Sequence, residues 1–90
     1  MQVVLYSSFE KTVKKLHVNE KKDLDKAVKT IIENPHAGDL KKGDLHGIRV
    51  FKFKMKNQLT LLAYRHNETK KIFEVLALGS HENFYRDLKT

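Results

Sequence analysis

The sequence predicts an α+β fold: a small antiparallel sheet, a helical hairpin packed on one face, and a short C-terminal helix. Three observations carry this. Apolar residues recur at helical intervals up to Ile32, the period drops to two from Arg49 onward, and the later β-type runs are separated only by short turns. The expected order is β-α-α-β-β-β-α. Ninety residues make one domain, residues 1–90, because so short a chain cannot divide its apolar surface between two cores.

Each element has its own signal. Gln2, Val3, Val4, Leu5 and Tyr6 form a β-type run. Ser7, with Glu10 three residues on, has the spacing of a capping box. Phe9, Val13 and Leu16 then follow at helical intervals, with Lys11, Lys14 and Lys15 on the other face. The pattern breaks at His17-Val18-Asn19, where Asn19 is placed to cap a second helix. Leu24, Ala27, Val28, Ile31 and Ile32 form the apolar stripe of that helix, and Asn34-Pro35 ends it. Residues 35–47, with Gly38, Gly43 and Gly47, read as a loop.

Strand periodicity begins at Arg49. Phe51, Phe53 and Met55 alternate with Val50, Lys52, Lys54 and Lys56, as in a half-buried strand. A turn is expected at Asn57-Gln58, and Leu59 to Arg65 is an apolar run of the kind found in central strands. Asn67-Glu68-Thr69 marks the next turn, Ile72 to Leu78 a further strand, and Gly79-Ser80 its end. His81 to Lys89 is long enough for a last helix, with Phe84 and Leu88 as its core anchors.

Composition narrows the function. With no cysteine, disulfide scaffolds, thiolate zinc sites and thiol catalysis are excluded. Apolar runs fall far short of the ~20 residues of a membrane span. No basic segment precedes the first apolar stretch, so a cytoplasmic location is expected and no membrane is implied. Lysine and arginine total 18 against 11 acidic residues, a net charge of +7. Such an excess favours a polyanionic partner.

Within that excess, Lys52, Lys54 and Lys56 stand on the strand face opposite the phenylalanines. Residues on one face are about 6.6–6.8 Å apart, close to the phosphate spacing of an extended nucleic-acid strand. The same row would equally serve as a solvated edge that discourages strand aggregation. Arg49 is in phase with the phenylalanines, facing a rim or capping the core edge. His81 and Tyr85, four apart, share a helix face. An imidazole suits proton transfer near neutral pH, and a tyrosine beside it can stack on a base, although both residues also fit ordinary packing. His17, His36, His46 and His66 have no metal-ligand spacing, and no glycine-rich phosphate loop or nucleophile elbow is present. No metal or other cofactor is implied.

Together these residues resemble the RelE/ParE superfamily of bacterial type II toxin–antitoxin toxins. The likeness covers nearly the whole chain and is concentrated in GDLKKGDLHGIRVFKFKMKNQLTLLAY and ALGSHENFYRDLK. The run from Gly47 through Phe51-Lys52-Phe53-Lys54 looks like the segment whose alternate lysines approach messenger RNA. LGSHENFY looks like the toxin C-terminus, where a histidine or arginine precedes an aromatic near the cleavage site, as in YafQ-type toxins. HENFYRDLK itself looks like a ParE-like branch.

The resemblance implies a ribosome-dependent messenger RNA endonuclease that needs no metal. Lys52, Lys54, His81 and Tyr85 would be catalytic, with Arg49, Lys56 and Arg65 on the RNA or the ribosome and its 16S rRNA. It also implies a cognate antitoxin. One departure stands out. RelE carries an arginine three residues before a strand tyrosine; Tyr64 fits that tyrosine, but Leu61 takes the arginine's place. YafQ-type toxins are aliphatic there too and rely on histidines. Arg49, Arg65 or Lys56 would be left to supply the missing charge. The alternatives are a ParE-type inhibitor of DNA gyrase without nuclease activity and a basic binding module without catalysis.

Overall fold

The structure is a computed structural model that describes residues 2–41 and 47–80. Its elements are β1 (Gln2–Leu5), α1 (Ser7–Lys14), α2 (Val18–Glu33), β2 (Asp39–Leu40), β3 (Arg49–Met55), β4 (Gln58–Asn67) and β5 (Ile72–Ser80). The final helix expected over His81 to Lys89 lies outside the described residues, as do His46 and Gly43. The strands form one sheet in the order β1-β5-β4-β3-β2. β2, β3, β4 and β5 pair antiparallel, and β1 returns to lie parallel to β5.

The central strand behaves as its composition requires. Leu61, Leu62, Ala63 and Tyr64 of β4 are all fully buried, because both sheet faces are covered there. On one face Leu62, Tyr64, Phe73, Val75 and Leu78 pack with Phe9, Leu24, Ala27 and Ile31 of the helical hairpin. Phe51, Phe53 and Met55 join this core from β3. On the opposite face Val50, Leu61, Ala63 and Leu76 form a smaller buried cluster. A bulge at Ala63/Tyr64 leaves Leu76 as the extra residue of β5, which is how Leu76 and Ala77 both reach the smaller cluster.

Five local expectations are corrected. The loop at 35–47 contains β2, a two-residue strand pairing Asp39 with Val50 and Leu40 with Arg49. So short a strand, with Leu40 exposed, leaves no periodic signal. Tyr6, not Ser7, is the α1 N-cap, and it makes no side-chain cap bond. Ser8 instead donates to the Leu76 carbonyl (2.8 Å) and pins α1 to β5. α2 starts earlier than Asn19, in a capping box where the His17 N–H donates to the Glu20 carboxylate (3.0 Å). β5 continues through Gly79 to Ser80. Finally, the β3–β4 turn is Lys56-Asn57, with φ of 53° and 64°. Positive φ at both central residues is what a two-residue hairpin needs to match strand twist, and Lys56 therefore leaves the strand's alternation.

Candidate nucleic-acid interface

Lys52 and Lys54 project from β3 on the sheet face away from the helices, and both are exposed. Lys52 stands opposite Leu61 and Lys54 opposite Leu59. Among the described residues neither ammonium has an ion-pair or hydrogen-bond partner. Across the sheet Leu61 pairs with Gly79, which places the Lys52 and Gly79 backbones two strand spacings, about 10 Å, apart. Beside the lysines, Leu59 is half-exposed and Leu61 is fully buried. Lys56 is exposed on the turn, outside the row, and its N–H donates to Asp23 Oδ2 on α2 (3.1 Å).

The two arginines are held within the fold. Arg49 lies on the helix side, opposite Tyr64. Its Nη1 donates to the Gly38 carbonyl (2.9 Å), and its Nη2 lies 3.0 Å from His36 Nδ1. His36 Nε2 in turn lies 3.4 Å from the Glu68 carboxylate. The Tyr64 hydroxyl accepts from the Gly38 N–H (2.9 Å) and donates to the Pro35 carbonyl (2.7 Å). Burial raises the Tyr64 pKa, with the Gly38 N–H and Arg49 acting in the other direction. Arg49 thus caps the edge of the core, the second of its two expected placements.

Arg65 lies across from Glu74. Its Nε donates to Glu74 Oε1 (3.0 Å) and its Nη2 to Glu74 Oε2 (3.3 Å) and the Tyr6 hydroxyl (3.3 Å). The Tyr6 hydroxyl also hydrogen-bonds Glu74. Donation from Arg65 and then from Tyr6 holds the Glu74 carboxyl below the usual carboxylate range. The same bond to Glu74 raises Tyr6, and the carboxylate raises Arg65. This guanidinium is compensated where it stands.

The structure therefore keeps Lys52 and Lys54 together and separates them from Arg49, Arg65 and Lys56. His81 and Tyr85 lie outside the described residues; the last described residue, Ser80, pairs with Thr60 beside Leu61. Sequence reading missed the Tyr6–Arg65–Glu74 network, since a strand register joins residues nine and 68 positions apart. It also missed the Asp23 contact to the turn. A helix-to-hairpin pairing of that kind has no local signal. Among the described residues no group of three His, Asp or Glu side chains is placed to hold a metal ion. No helix there is long and apolar enough to cross a membrane.

Comparison with known proteins agrees with this fold. In solved structures the fold is similar to E. coli RelE in the intact RelBE toxin–antitoxin complex, with 20% identity and a TM-score of 0.70, covering 90% of this chain and 96% of that one. It is also similar to a YoeB/ParE toxin from Agrobacterium tumefaciens: 17% identity, TM-score 0.72, coverage 90% and 99%. A third likeness is to the archaeal RelE–RelB complex of Pyrococcus horikoshii OT3, at 14% identity and a TM-score of 0.62, covering 90% and 94%. No curated protein matches. A family model described as the ParE-like toxin of type II bacterial toxin–antitoxin systems matches residues 3–89. With that match spanning nearly all of the sequence, the chain belongs to the ParE-like toxin family of type II toxin–antitoxin systems.

Proposed function

We propose that this toxin is a ribosome-dependent messenger RNA endonuclease. The observation that carries the reading is the exposed pair Lys52 and Lys54, unpartnered among the described residues and set at about phosphate spacing on the sheet face away from the helices. Cleavage would proceed by attack of a ribose 2′-oxygen on the adjacent phosphorus. The 2′-O–P bond forms, the P–O5′ bond breaks, and a 2′,3′-cyclic phosphate and a 5′-hydroxyl result. A base takes the 2′-OH proton, an acid gives one to the departing 5′-oxygen, and a cation stabilises the phosphorane. Lys52 or Lys54 serves as base or electrostatic stabiliser, His81 as general acid, and Tyr85 stacks on the nucleotide. Because Arg49 and Arg65 are engaged inside the fold and Lys56 sits on the turn, the proposal rests on the two strand lysines.

The partner in the inhibited state is an antitoxin whose disordered segment folds onto the toxin and covers basic surface. The E. coli and P. horikoshii RelE structures, each solved as a complex with RelB, support that reading.

A second reading, gyrase inhibition without cleavage, is favoured by one observation. Leu61, where RelE has arginine, is fully buried, and the nearby Arg65 is paired with Glu74. RNA-end mapping after induction separates the two. Codon-associated new 5′ ends in translated messages, lost in the Lys52→Ala and His81→Ala proteins, are expected. A DNA-damage response with unchanged transcripts would establish gyrase instead, and full toxicity of folded His81→Ala and Tyr85→Ala proteins would sink the catalytic assignment.

A further inference from the structure

One groove in the molecule lies outside the lysine row yet touches it. It runs between α2 and the outer edge of β3, with a volume of about 210 Å³, lined by Asp23, Lys26, Ala27 and Thr30 on the helix and Phe51, Phe53 and Lys54 on the strand. Positions 23, 26, 27 and 30 form one stripe of α2. The strand contributes two half-buried rings, stacked with centroids 6.2 Å apart and planes 16° from parallel. β2 covers only the start of β3, at Arg49 and Val50. The Lys41 N–H bonds the Ile48 carbonyl, so the even-numbered residues of β3 turn their backbone groups outward. At Lys52 and Lys54 these groups have no strand partner among the described residues.

We propose that this groove binds one nucleotide of single-stranded RNA, next to the segment whose phosphates follow Lys52 and Lys54. The proposal rests on the nuclease reading and extends it to a second contact. Three features favour a nucleotide. Aromatic side chains offer a stacking surface that accepts any base. Lys26 on the helix wall supplies a cation for one flanking phosphate, and Lys54, which borders the groove at the strand edge while projecting to the opposite face, supplies one for the next. Asp23 uses Oδ2 to accept from Lys56, which leaves Oδ1 to accept from a base N–H. Two lysines and a carboxylate at its border distinguish it from a purely apolar anchor site. Lys54 borders the groove and belongs to the row, so a strand crossing the edge of β3 that has no partner among the described residues meets both. Of the helical lysines, Lys26 alone gains a role this way.

The test uses the full chain and a short single-stranded RNA carrying 5-iodouridine at successive positions. Photocrosslinks are mapped by mass spectrometry, and binding is followed by fluorescence anisotropy at low salt. One iodouridine position should crosslink to Phe51 or Phe53. Phe53→Leu, which keeps an apolar side chain in the core, should weaken binding by about 5- to 150-fold, the value of one base stack. Lys26→Glu, on an exposed helical position, should weaken it with the fold untouched and lower the salt slope by about 0.7. Crosslinks confined to the Lys52/Lys54 face, with both variants binding as the parent does, would overturn the groove and leave the nuclease reading standing. An acidic peptide that protects the β3 edge amides from hydrogen exchange where RNA does not would overturn it in favour of peptide docking. If the groove crosslinks while induced cells show no RNA cuts, the nuclease reading falls and the groove stands.

Discussion

The two halves of the β3–β4 hairpin treat their charges in opposite ways. At the end holding Arg49, Tyr64 and Arg65, the guanidinium groups and the buried hydroxyl have partners inside the fold: Gly38, His36, Pro35, Glu74 and Tyr6. At the other end, Lys52 and Lys54 stand exposed with no side-chain partner among the described residues. Charges of the first kind stabilise the protein and contribute little attraction to a ligand. The second kind contribute little stability, since an exposed lysine carries high rotamer entropy, and keep their full charge for a polyanion. The difference explains why net charge alone located nothing.

The largest effect that would test this contrast is on activity. Lys52→Ala and Lys54→Ala should each lower the cleavage rate by roughly 10²–10⁴-fold, as expected for loss of a proton-transfer or charge-stabilising group. Their unfolding free energies should stay within about 0.5 kcal/mol of the parent, the usual range for surface substitutions. Urea denaturation beside a cleavage assay checks both. A large stability loss in either variant would mean that the lysines belong with the structural charges.

The paired end should respond in reverse. Tyr64→Phe removes a hydroxyl that bonds Gly38 and Pro35, leaving the buried Gly38 N–H and the half-buried Pro35 carbonyl without their partner, at about 1–3 kcal/mol. Gly38→Ala meets the same constraint from the other side. A Cβ there would sit 2.8 Å from the Tyr64 hydroxyl and 2.9 Å from its ring, backed by the Val50 backbone at 3.1 Å. Overpacking of this kind costs about 1–3 kcal/mol. In a chain this size each kcal/mol lowers Tm by roughly 4–8 °C, which calorimetry resolves. Both variants should keep the ability to bind RNA at temperatures where they are folded.

A smaller effect, with a definite sign in pH, comes from Glu74. Its folded pKa lies below the unfolded value of 4.5, so its stabilisation is present above that value and is lost as pH falls through the folded pKa. Glu74→Gln should cost about 1 kcal/mol at neutral pH, the upper end for a solvent-screened pair and fitting for this half-buried one, and should flatten the loss of stability on acidification. Tyr6 titrates the other way. Its raised pKa means that the contribution of its hydroxyl holds below pH 10 and fades above its folded value. Equal acid slopes in the parent and Glu74→Gln proteins would show that the network leaves stability unaffected.

What the sequence made legible follows the range of each interaction. The apolar run of β4 and the alternation of β3 are local, and they placed the central strand, the helix-facing phenylalanines and the opposite-facing Lys52 and Lys54. β2, with two residues, is shorter than any period. The cap at His17 was missed because the side-chain ranking favours Asn19, whereas Glu20 made a reciprocal box with the less usual residue. Arg65 read as an available cation because Glu74 comes opposite it only through the β4–β5 register, which the bulge at Ala63/Tyr64 shifts. In the groove, Lys26 and Phe53 are brought together by the docking of α2 on β3, a tertiary fact with no trace in spacing.

Lys56 is the residue on which the contrast can be sharpened most finely. By alternation it belongs with Lys52 and Lys54, yet the hairpin needs a two-residue turn and takes it at Lys56-Asn57. A lysine at φ 53° carries left-handed strain of about 1–2 kcal/mol, which glycine does not. Glycine, however, gives the unfolded chain more freedom, which offsets about 0.4–1 kcal/mol of that relief. Lys56→Gly should therefore stabilise the protein by about 0–1.6 kcal/mol. The Asp23 contact survives, because the Lys56 backbone N–H is the donor. If the turn removes this ammonium from the row, the salt slope of RNA binding stays as in the parent. A slope reduced by about 0.7 would show that Lys56 contacts a phosphate from the turn and that the row is longer than the strand.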